Sequence, residues 1–370
     1  RLSKGALAKK ISMDMLQPFT KDIFQYELQP YNGGAKFRNG DTIMARITPC
    51  LENGKVSKVN ILTQGEVGFG STEYIVLRAI PNVSDPDFIY YLTISDFVRA
   101  PAIKSMVGSS GRQRVQQNVL ETLELPIPPY DEQKKIAAIL SALDEKIAIN
   151  RAINDNLQQQ AKAIFSKEFL TLETLPIGWE RASLIDIADY LNGLAMQKYR
   201  PTADETGIPV LKIKELRQGC CDDNSELCSP NIKSEYIIHD GDVIFSWSGS
   251  LLVDFWCGGI CGLNQHLFKV TSSNYDKWFY YSWTKHHLDR FVAVAADKAT
   301  TMGHIKRDEL AKAEVLIPNE ADYKRIRTLL QPIYDLIITN RIENKRLAKI
   351  RDILLPKLMS GELDVSAIQL

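Results

Sequence analysis

A segment of this chain occurs twice, about 190 residues apart, and the two copies stay in register without a gap over roughly eighty positions. The register is clearest where residues 125–128 (LPIP) match residues 315–318 (VLIP). A chain built from two copies of so large a unit carries two related modules at a set distance. The repeat therefore favours recognition of a two-part target over chemistry in one active-site cleft.

The repeat divides the 370 residues into four blocks and a tail. The first and third blocks are rich in β-branched residues between Gly and Asn turns, which is typical of strands, whereas the second and fourth predict long helices. We therefore predict an α+β fold in which two similar modules are separated by two long helices. The predicted boundaries are 1–130 and 171–320 for the modules, 131–170 and 321–360 for the helices, and 361–370 for the tail.

The two helical blocks share a heptad seam, in which seam residues recur at alternating intervals of four and three. An asparagine within such a seam weakens packing but sets the register of a helix pair. Two matching seams predict that the helices pair with each other, although each could instead lie on its own module. The seam positions are Ile136, Leu140, Leu143, Ile147, Asn150, Asn154 and Leu157 in the second block, and Ile333, Ile337, Asn340, Asn344 and Leu347 in the fourth.

Both parallel and antiparallel pairing would bring the four asparagines into one layer. We favour the antiparallel pair, related by a pseudo-twofold axis, because it places the two modules at opposite ends. Pro332 predicts that the continuous part of the second helix starts there, since proline breaks a helix. Helices of about 35 residues span about 50 Å at 1.5 Å per residue. That length matches roughly one to one and a half turns of B-DNA, so it suits a spacer between two half-sites.

Charge gives no general support for nucleic-acid binding. The chain has 45 basic and 45 acidic residues, and residues 171–320 are acidic, with 15 Lys and Arg against 21 Asp and Glu. Any contact with DNA must therefore come from local patches. No apolar run is long enough to span a bilayer and no secretion signal is visible, so we predict a cytoplasmic protein without a membrane partner. The spacing Cys257-x3-Cys261 permits a zinc site, but buried reduced thiols fit the cysteine pattern better.

The expected motifs of an enzyme are missing. Residues 127–130 (IPPY) are similar to the Asn/Asp-Pro-Pro-Tyr loop of adenine methyltransferases, but Ile127 lacks the amide or carboxylate that would bind the exocyclic amine. The chain has no Gly-Lys-Ser/Thr phosphate loop, so ATP-driven translocation is not expected. The five histidines are scattered. We predict a non-catalytic protein that holds no cofactor or metal itself.

Several stretches resemble the specificity subunits of type I restriction–modification systems. Residues 125–147 resemble the central conserved region of that family, and 340–363 resemble its C-terminal conserved region. Residues 175–180 (LPIGWE) resemble the opening of a target-recognition domain, and 37–55 with 68–73 resemble the body of one. The resemblance covers nearly the whole chain. The second module has about twenty-five residues without a counterpart before Lys4, so the first looks N-terminally incomplete.

The resemblance implies a DNA-reading subunit with two target-recognition domains separated by antiparallel helices. It implies double-stranded DNA with a split, asymmetric site as the target. Two methyltransferase subunits would dock on the chain, and a restriction and translocase subunit would join them. S-adenosylmethionine and ATP would then be bound by these partners.

Polar and basic loops at matching places in the two modules are the candidate DNA contacts. Small hydroxyl and Gly residues let the backbone approach a phosphate, Arg or Lys neutralises it, and Arg or Gln can read base edges. Ordinary solvated loops are the alternative. The candidates are Arg46, Lys55, Ser71, Thr72, Ser109, Ser110, Arg112, Gln113 and Arg114 in the first module, and Trp247, Ser248, Asn264, Gln265, His266, Lys298, Thr300, Thr301 and His304 in the second.

Two hypotheses remain for the function. In the first, the chain recognises a bipartite DNA sequence and positions methyltransferase and restriction subunits on it. In the second, it is a coiled-coil scaffold that binds proteins and does not read DNA, which the acidic second module would favour. A self-contained methylase or nuclease lacks every expected motif.

Overall fold

The computed structural model describes residues 2–297 and 307–368. It divides into two compact units, the first formed by Arg1–Ile147 with Leu347–Leu370 and the second by Ala148–Arg346. Each unit combines sheets with helices, and each contains one copy of the repeat together with one end of both long helices. The α+β class predicted from the sequence agrees with this mixed content.

Among the residues that the structure describes, the first unit contains two sheets. In one, β1 runs parallel to β6, with Ile11 opposite Gly70, in the strand order β2-β1-β6-β3. In the other, β4 pairs antiparallel with both neighbours in the order β5-β4-β7, and Ala45 lies opposite Tyr74. The strands are β1 Leu7–Ile11, β2 Glu27–Pro30, β3 Lys36–Phe37, β4 Thr42–Ala45, β5 Val56–Lys58, β6 Gly68–Gly70 and β7 Tyr74–Leu77.

Helices follow the strands of the first unit: α1 Pro86–Ile94, α2 Asp96–Lys104 and α3 Gln117–Glu121. The start of α1 is defined locally, because the Asp85 side chain accepts hydrogen bonds from the backbone N–H groups of Asp87 and Phe88. Ser95 separates α1 from α2 in an extended conformation, and its hydroxyl donates to the Leu92 carbonyl. The long helix α4 then begins at Tyr130 and ends at Phe165, followed by a π-helical turn, Ser166–Leu170.

The second unit repeats this frame and adds to it. The parallel pair β10–β15, with Leu211 opposite Leu263, corresponds to β1–β6, and the antiparallel pair β13–β16 corresponds to β4–β7. The sheet orders are β11-β10-β15-β12, β14-β13-β16-β9 and β17-β8. The strands are β8 Glu180–Ser183, β9 Asp189–Asn192, β10 Ile208–Leu211, β11 Leu227–Cys228, β12 Ile237–Ile238, β13 Val243–Ser246, β14 Leu252–Phe255, β15 Cys261–Leu263, β16 Leu267–Thr271 and β17 Glu314–Ile317.

The two units differ at the outer edges of these sheets. In the second unit β9 pairs with β16 and β8 pairs with β17. In the first unit, the described residues supply no counterpart of β8 or β9, so the edge of β7 away from β4 pairs with no strand. The first unit therefore has a three-stranded sheet where the second has four strands.

The helices of the second unit surround an aromatic core. Trp278 and Phe279 are fully buried on α7, and Trp283 contacts Phe165 at the end of α4 with ring centroids 5.1 Å apart. This core joins the sheets to both long helices, because Ile326 on α10 belongs to the same cluster. The helices are α5 Leu184–Ile187, α6 Ile213–Gln218, α7 Lys277–His286, α8 Leu288–Asp297, α9 Arg307–Ala311 and α10 Glu320–Met359.

The prediction that the second long helix starts at Pro332 is wrong, because α10 is continuous from Glu320. Proline removes one backbone hydrogen bond, and its loss is least damaging on the solvent side, where water can bind the freed carbonyl. Pro332 and Thr328, whose carbonyl loses its partner, are both exposed. Leu330 on the opposite face is fully buried, so packing on that face keeps the helix continuous across the proline.

The long helices contact each other within each unit. In the first unit, Arg351 Nη1 lies 2.7 Å from Asp144 Oδ1, and Leu140 belongs to the same core cluster as Leu355 and Leu358. Residue numbers on the two helices change in opposite directions along these contacts, so the segments run antiparallel there. Ile136, Leu140 and Ile147 are buried at the predicted seam, whereas Leu143 and Leu347 are half-buried.

In the second unit, the seam asparagines form hydrogen bonds in pairs. Asn150 Nδ2 donates to Asn344 Oδ1 over 2.9 Å, and Asn340 Nδ2 donates to Asn154 Oδ1 over 2.9 Å. Asn154 also donates to the Ile337 carbonyl. These segments therefore also run antiparallel where they touch. The other predicted seam residues here are buried Ile337 and half-buried Leu157 and Ile333.

Candidate nucleic-acid interface

In the first unit, a hairpin loop is fixed beside the end of β4. Val107 and Arg114 exchange backbone hydrogen bonds of 3.0 and 2.9 Å, which closes the loop between them. The Thr48 N–H donates to the Gln113 carbonyl, and the Val115 N–H donates to the Arg46 carbonyl. The loop is thereby anchored on both sides, and its tip presents the exposed candidates Ser109, Ser110 and Arg112.

A cluster of charged side chains lies at the base of this loop. Glu73 immediately precedes β7, and Arg46 immediately follows β4, so strand register places them opposite each other. Arg46 Nε donates to Glu73 Oε2 over 3.1 Å. Arg114 donates hydrogen bonds to the same carboxylate from Nε at 3.0 Å and from Nη2 at 2.8 Å. Three separate chain segments therefore meet at Glu73.

Electrostatics favour the charged form of this cluster. The hydrogen bond from Arg114, reinforced by Arg46, holds the pKa of Glu73 below its ordinary value despite partial burial. Glu73 in turn raises the pKa of Arg114. One carboxylate between two guanidinium groups leaves one net positive charge at this surface.

The other candidates of the first unit have different surroundings. Ser71 is half-buried, and its hydroxyl accepts a hydrogen bond from the Glu73 N–H, while Thr72 next to it is exposed. Lys55 donates to the Met13 carbonyl over 2.7 Å instead of joining the cluster. The structure thus brings Arg46, Ser71, Thr72 and Arg114 together around Glu73. Lys55 is not one of this group.

In the second unit, the equivalent position carries aromatic chemistry. Because Ser246 pairs with Leu267, Trp247 and His266 lie opposite each other, as Arg46 and Glu73 do in the first unit. Their ring centroids are 6.3 Å apart. The Trp247 ring stacks on Phe268, and its Nε1 donates to Asn192 Oδ1 over 3.0 Å. This indole is therefore held at one orientation beside the end of β13.

The neighbouring candidates of the second unit are less accessible. Ser248 and Asn264 are 3% and 7% exposed, so both residues are buried here. Asn264 Oδ1 accepts the His266 N–H, which shapes the turn before β16. Gln265 lies 3.4 Å from the His266 ring through its amide nitrogen. Lys298, Thr300, Thr301 and His304 lie outside the described residues.

Glu73 is the residue that sequence reasoning missed. It follows Ser71 and Thr72 directly, but an acidic side chain is not expected at a phosphate surface, and its pairing with Arg46 depends on strand register. Arg46 directly follows β4 and Glu73 directly precedes β7, so knowing that these two strands pair would have suggested the contact.

The cysteines show no sign of a metal centre. Cys257 and Cys261 are buried thiols, and burial raises the pKa of Cys257 to about 11, which disfavours the thiolate. Among residues 2–297 and 307–368, no three or more His, Cys, Asp or Glu side chains are grouped closely enough to hold a metal ion. None of the helices in this part of the chain is both long and apolar enough to cross a membrane.

Comparison with known proteins identifies the family. A family described as "Type I restriction modification DNA specificity domain" matches residues 3–159 and again residues 176–351. The two matches follow the two copies of the repeat and together cover most of the chain. The chain therefore belongs to this family, and the resemblance seen in the sequence is confirmed.

Individual relatives agree with this assignment. The chain is 27% identical to the Type I restriction enzyme MjaIX specificity subunit of Methanocaldococcus jannaschii, over 76% of this chain and 70% of the relative. It is 21% identical to the HindI specificity subunit of Haemophilus influenzae, over 92% and 86%. The solved S subunit of a type I restriction–modification system from M. genitalium shares the fold, with a TM-score of 0.52 at 16% identity over 97% of this chain and 93% of that chain.

Proposed function

We propose that this chain recognises a bipartite, asymmetric DNA sequence and positions methyltransferase and restriction subunits on it. One observation carries the proposal. Two copies of a single frame present different chemistry at the same cross-strand position, Arg46 with Glu73 in one and Trp247 with His266 in the other. Two surfaces that share a backbone frame but carry different side chains are suited to recognising two half-sites of different sequence.

The long helices would act as spacer and docking surface. We propose that they form one antiparallel coiled coil with a target-recognition domain at either end, related by a pseudo-twofold axis. The helix contacts within each unit support this, because charged and asparagine pairs set the register. The domains would be residues 1–130 and 171–320. The helices would be 131–170 and 321–360, with a tail at 361–370.

Apolar side chains on the outward faces of the helices would contact the methyltransferases. In the second unit, Ile149 and Leu336 are 54% and 44% exposed, and in the first unit Ile353 is 50% exposed. Apolar residues left outside a helix pair suit a partner surface better than water. The partners, rather than this chain, would bind S-adenosylmethionine and ATP.

The DNA contacts would come from the loops around the two cross-strand pairs. In the first unit, the exposed tip at Ser109, Ser110 and Arg112 lies next to the charged cluster. In the second, Trp247 belongs to the equivalent pair, and Gln265 immediately precedes its partner His266. We propose that hydroxyl and basic groups of the loops contact phosphates and that the cross-strand pairs face bases.

Selection from random duplexes tests this proposal. Purified chain, with and without a methyltransferase subunit, would be incubated with randomised DNA, and bound sequences would be read. We expect enrichment of two short elements with a constant spacing of roughly one to one and a half helical turns between them. Failure to enrich a split motif in either condition, with the methyltransferase still bound, would instead support the protein-binding scaffold.

A further inference from the structure

We propose that Glu73 is a positioning residue that orients Arg46 and Arg114 so that Arg46 reads a guanine edge in the first half-site. The inference rests on the proposed function and deepens it. Glu73 itself would not touch DNA. It would set the direction of Arg46, which does, and would hold Arg114 beside it.

The Arg46 guanidinium is held by Glu73 through only one of its three nitrogens. Its Nε donates to Glu73, while its two Nη groups donate to no other residue within the described chain. A guanidinium has five N–H donors in a planar fork, and two parallel donors match the O6 and N7 acceptors of guanine. Holding the group through Nε leaves the Nη pair directed away from the carboxylate. Arg46 is therefore braced while its outer donors stay available.

Arg114 has the complementary arrangement. Its Nε and Nη2 both bind Glu73, so most of its donors are used within the protein. The remaining Nη1 lies 3.5 Å from the Arg112 carbonyl in the same loop. Arg114 thus links the loop to the carboxylate and contributes positive charge rather than a free fork.

The negative charge of the Glu73 carboxylate is unfavourable beside the phosphates of DNA. The Glu73 side chain retains 21% exposure and Arg114 retains 44%, so the cluster lies at the surface. If the site were shaped only for affinity, a neutral residue at position 73 would let the two arginines attract phosphates more strongly. An acid at this place makes sense where orientation matters more than attraction, since it fixes two long side chains that otherwise sample many rotamers.

The second unit supplies the comparison within the same chain. The residue equivalent to Glu73 is His266, and the one equivalent to Arg46 is Trp247. The same backbone position is thus braced by a carboxylate in one unit and by ring contacts in the other. Discrimination at the first half-site should therefore depend on Glu73, and discrimination at the second should not.

The experiment compares Glu73→Gln with wild type on duplexes varied separately in each half-site and on random duplexes across a salt series. The isosteric amide removes the charge and one acceptor. We expect preference for guanine in the first half-site to fall roughly tenfold, as for loss of a bidentate contact. Binding to random DNA should tighten at low salt, with the slope of log affinity against log salt steeper by up to about 0.9. The second half-site should be read as before.

Matched variants separate positioning from folding. Glu66→Gln removes a carboxylate that pairs with Lys9 at 3.1 Å in the same unit, and it should change neither readout. Arg46→Lys keeps the charge but loses the fork, so it should preserve the salt slope and lose guanine preference. It also tests the idea if Glu73→Gln does not fold.

The outcomes are distinct. If wild type selects no split motif, the proposed function fails as a whole. If wild type selects one, but Glu73→Gln and Arg46→Lys keep their first half-site preference, Glu73 is an ordinary structural ion pair and only this inference is overturned. Weaker binding to all sequences by Glu73→Gln, with no change in preference, would overturn it as well.

Discussion

The ion pair between Arg351 and Asp144 offers the sharpest test of how the long helices are held together in the first unit. Both side chains are about one-tenth exposed, and their closest atoms are 2.7 Å apart. The second Asp144 oxygen accepts the Tyr91 hydroxyl, also at 2.7 Å. Burial works against the Arg351 charge, yet Asp144 raises its pKa. The pair therefore links both long helices to α1.

Replacing Arg351 with Met leaves a buried carboxylate with one neutral hydrogen bond. Breaking a buried pair in this way costs about 3–5 kcal/mol. The additional contact of Arg351 with Asp352 adds little, because Asp352 is 64% exposed. The double variant Asp144→Asn with Arg351→Met removes the orphaned charge and keeps an acceptor for Tyr91. It should recover about 2 kcal/mol or more of the loss.

Urea unfolding can assign this loss to the first unit. All five tryptophans lie between residues 179 and 283, so indole fluorescence reports on the second unit, whereas far-UV circular dichroism reports on both. For Arg351→Met we expect an early circular dichroism transition that fluorescence does not show. Lys134→Met is the control, since its ion pair with Asp131 is exposed to solvent and should contribute little to the free energy of unfolding. Equal shifts for Arg351→Met and Lys134→Met, or a double variant no better than the single one, would refute the reasoning.

Three further predictions concern other parts of the chain. Asn154→Leu should lower the free energy of unfolding by about 1–3 kcal/mol, because the Asn340 amide loses its partner. Calorimetry should show that stability recovers when Asn154 and Asn340 are both replaced by Leu. The DNA sites that this double variant selects should have a less uniform spacing. Gly34→Ala should destabilise the first unit by more than about 2 kcal/mol, because φ is +103° and the added Cβ would lie 1.9 Å from the Gly70 carbonyl oxygen. Burial lowers the pKa of His287, so the unfolded chain binds its proton more readily and stability should fall as pH drops below about 6.5; His287→Gln should flatten this fall in unfolding measured from pH 8 to 5.

Controls follow from the same contacts. Asn156→Leu alters an exposed asparagine on α4 and should leave the melting temperature nearly unchanged. Gly33→Ala places a Cβ at positive φ with nothing within 4 Å, so it isolates backbone strain from the clash at Gly34. A wild-type stability that is flat between pH 5 and 8, or a loss that His287→Gln does not change, would contradict the histidine argument.

The long helices were the most predictable part of the structure, and the reason is physical. A seam position contributes to packing wherever the helix lies, so its period survives in the sequence. In the second unit, Asn150 donates a hydrogen bond to Asn344 and Asn340 donates one to Asn154. Pro332 predicts a break from local helix preference alone, whereas the packing of Leu330 on the opposite face, which only the folded chain shows, keeps α10 continuous.

The candidate site is harder to predict from the sequence, because its chemistry depends on strand register. The sequence places Arg46 and Arg114 near loops, but nothing in their spacing shows that both bind Glu73. Burial was equally hidden, since Ser248 and Asn264 look like open loop residues in sequence and are enclosed in the fold. Pairing across strands separated by many residues is set by turns and loops, and a one-residue slip would reverse every side chain.

Under the proposed function, the charge distribution also fits a division between reading the DNA sequence and supplying affinity for DNA. Residues 171–320 are acidic, and the cross-strand pair of the second unit contains Trp247 and His266 rather than two charged groups. Phosphate contacts supply most affinity for DNA in a sequence-independent way, whereas base contacts supply discrimination. A chain with equal numbers of basic and acidic residues can discriminate between DNA sequences without binding every sequence tightly. We therefore expect partner subunits to provide much of the phosphate attraction, which would confine tight binding to the assembled complex.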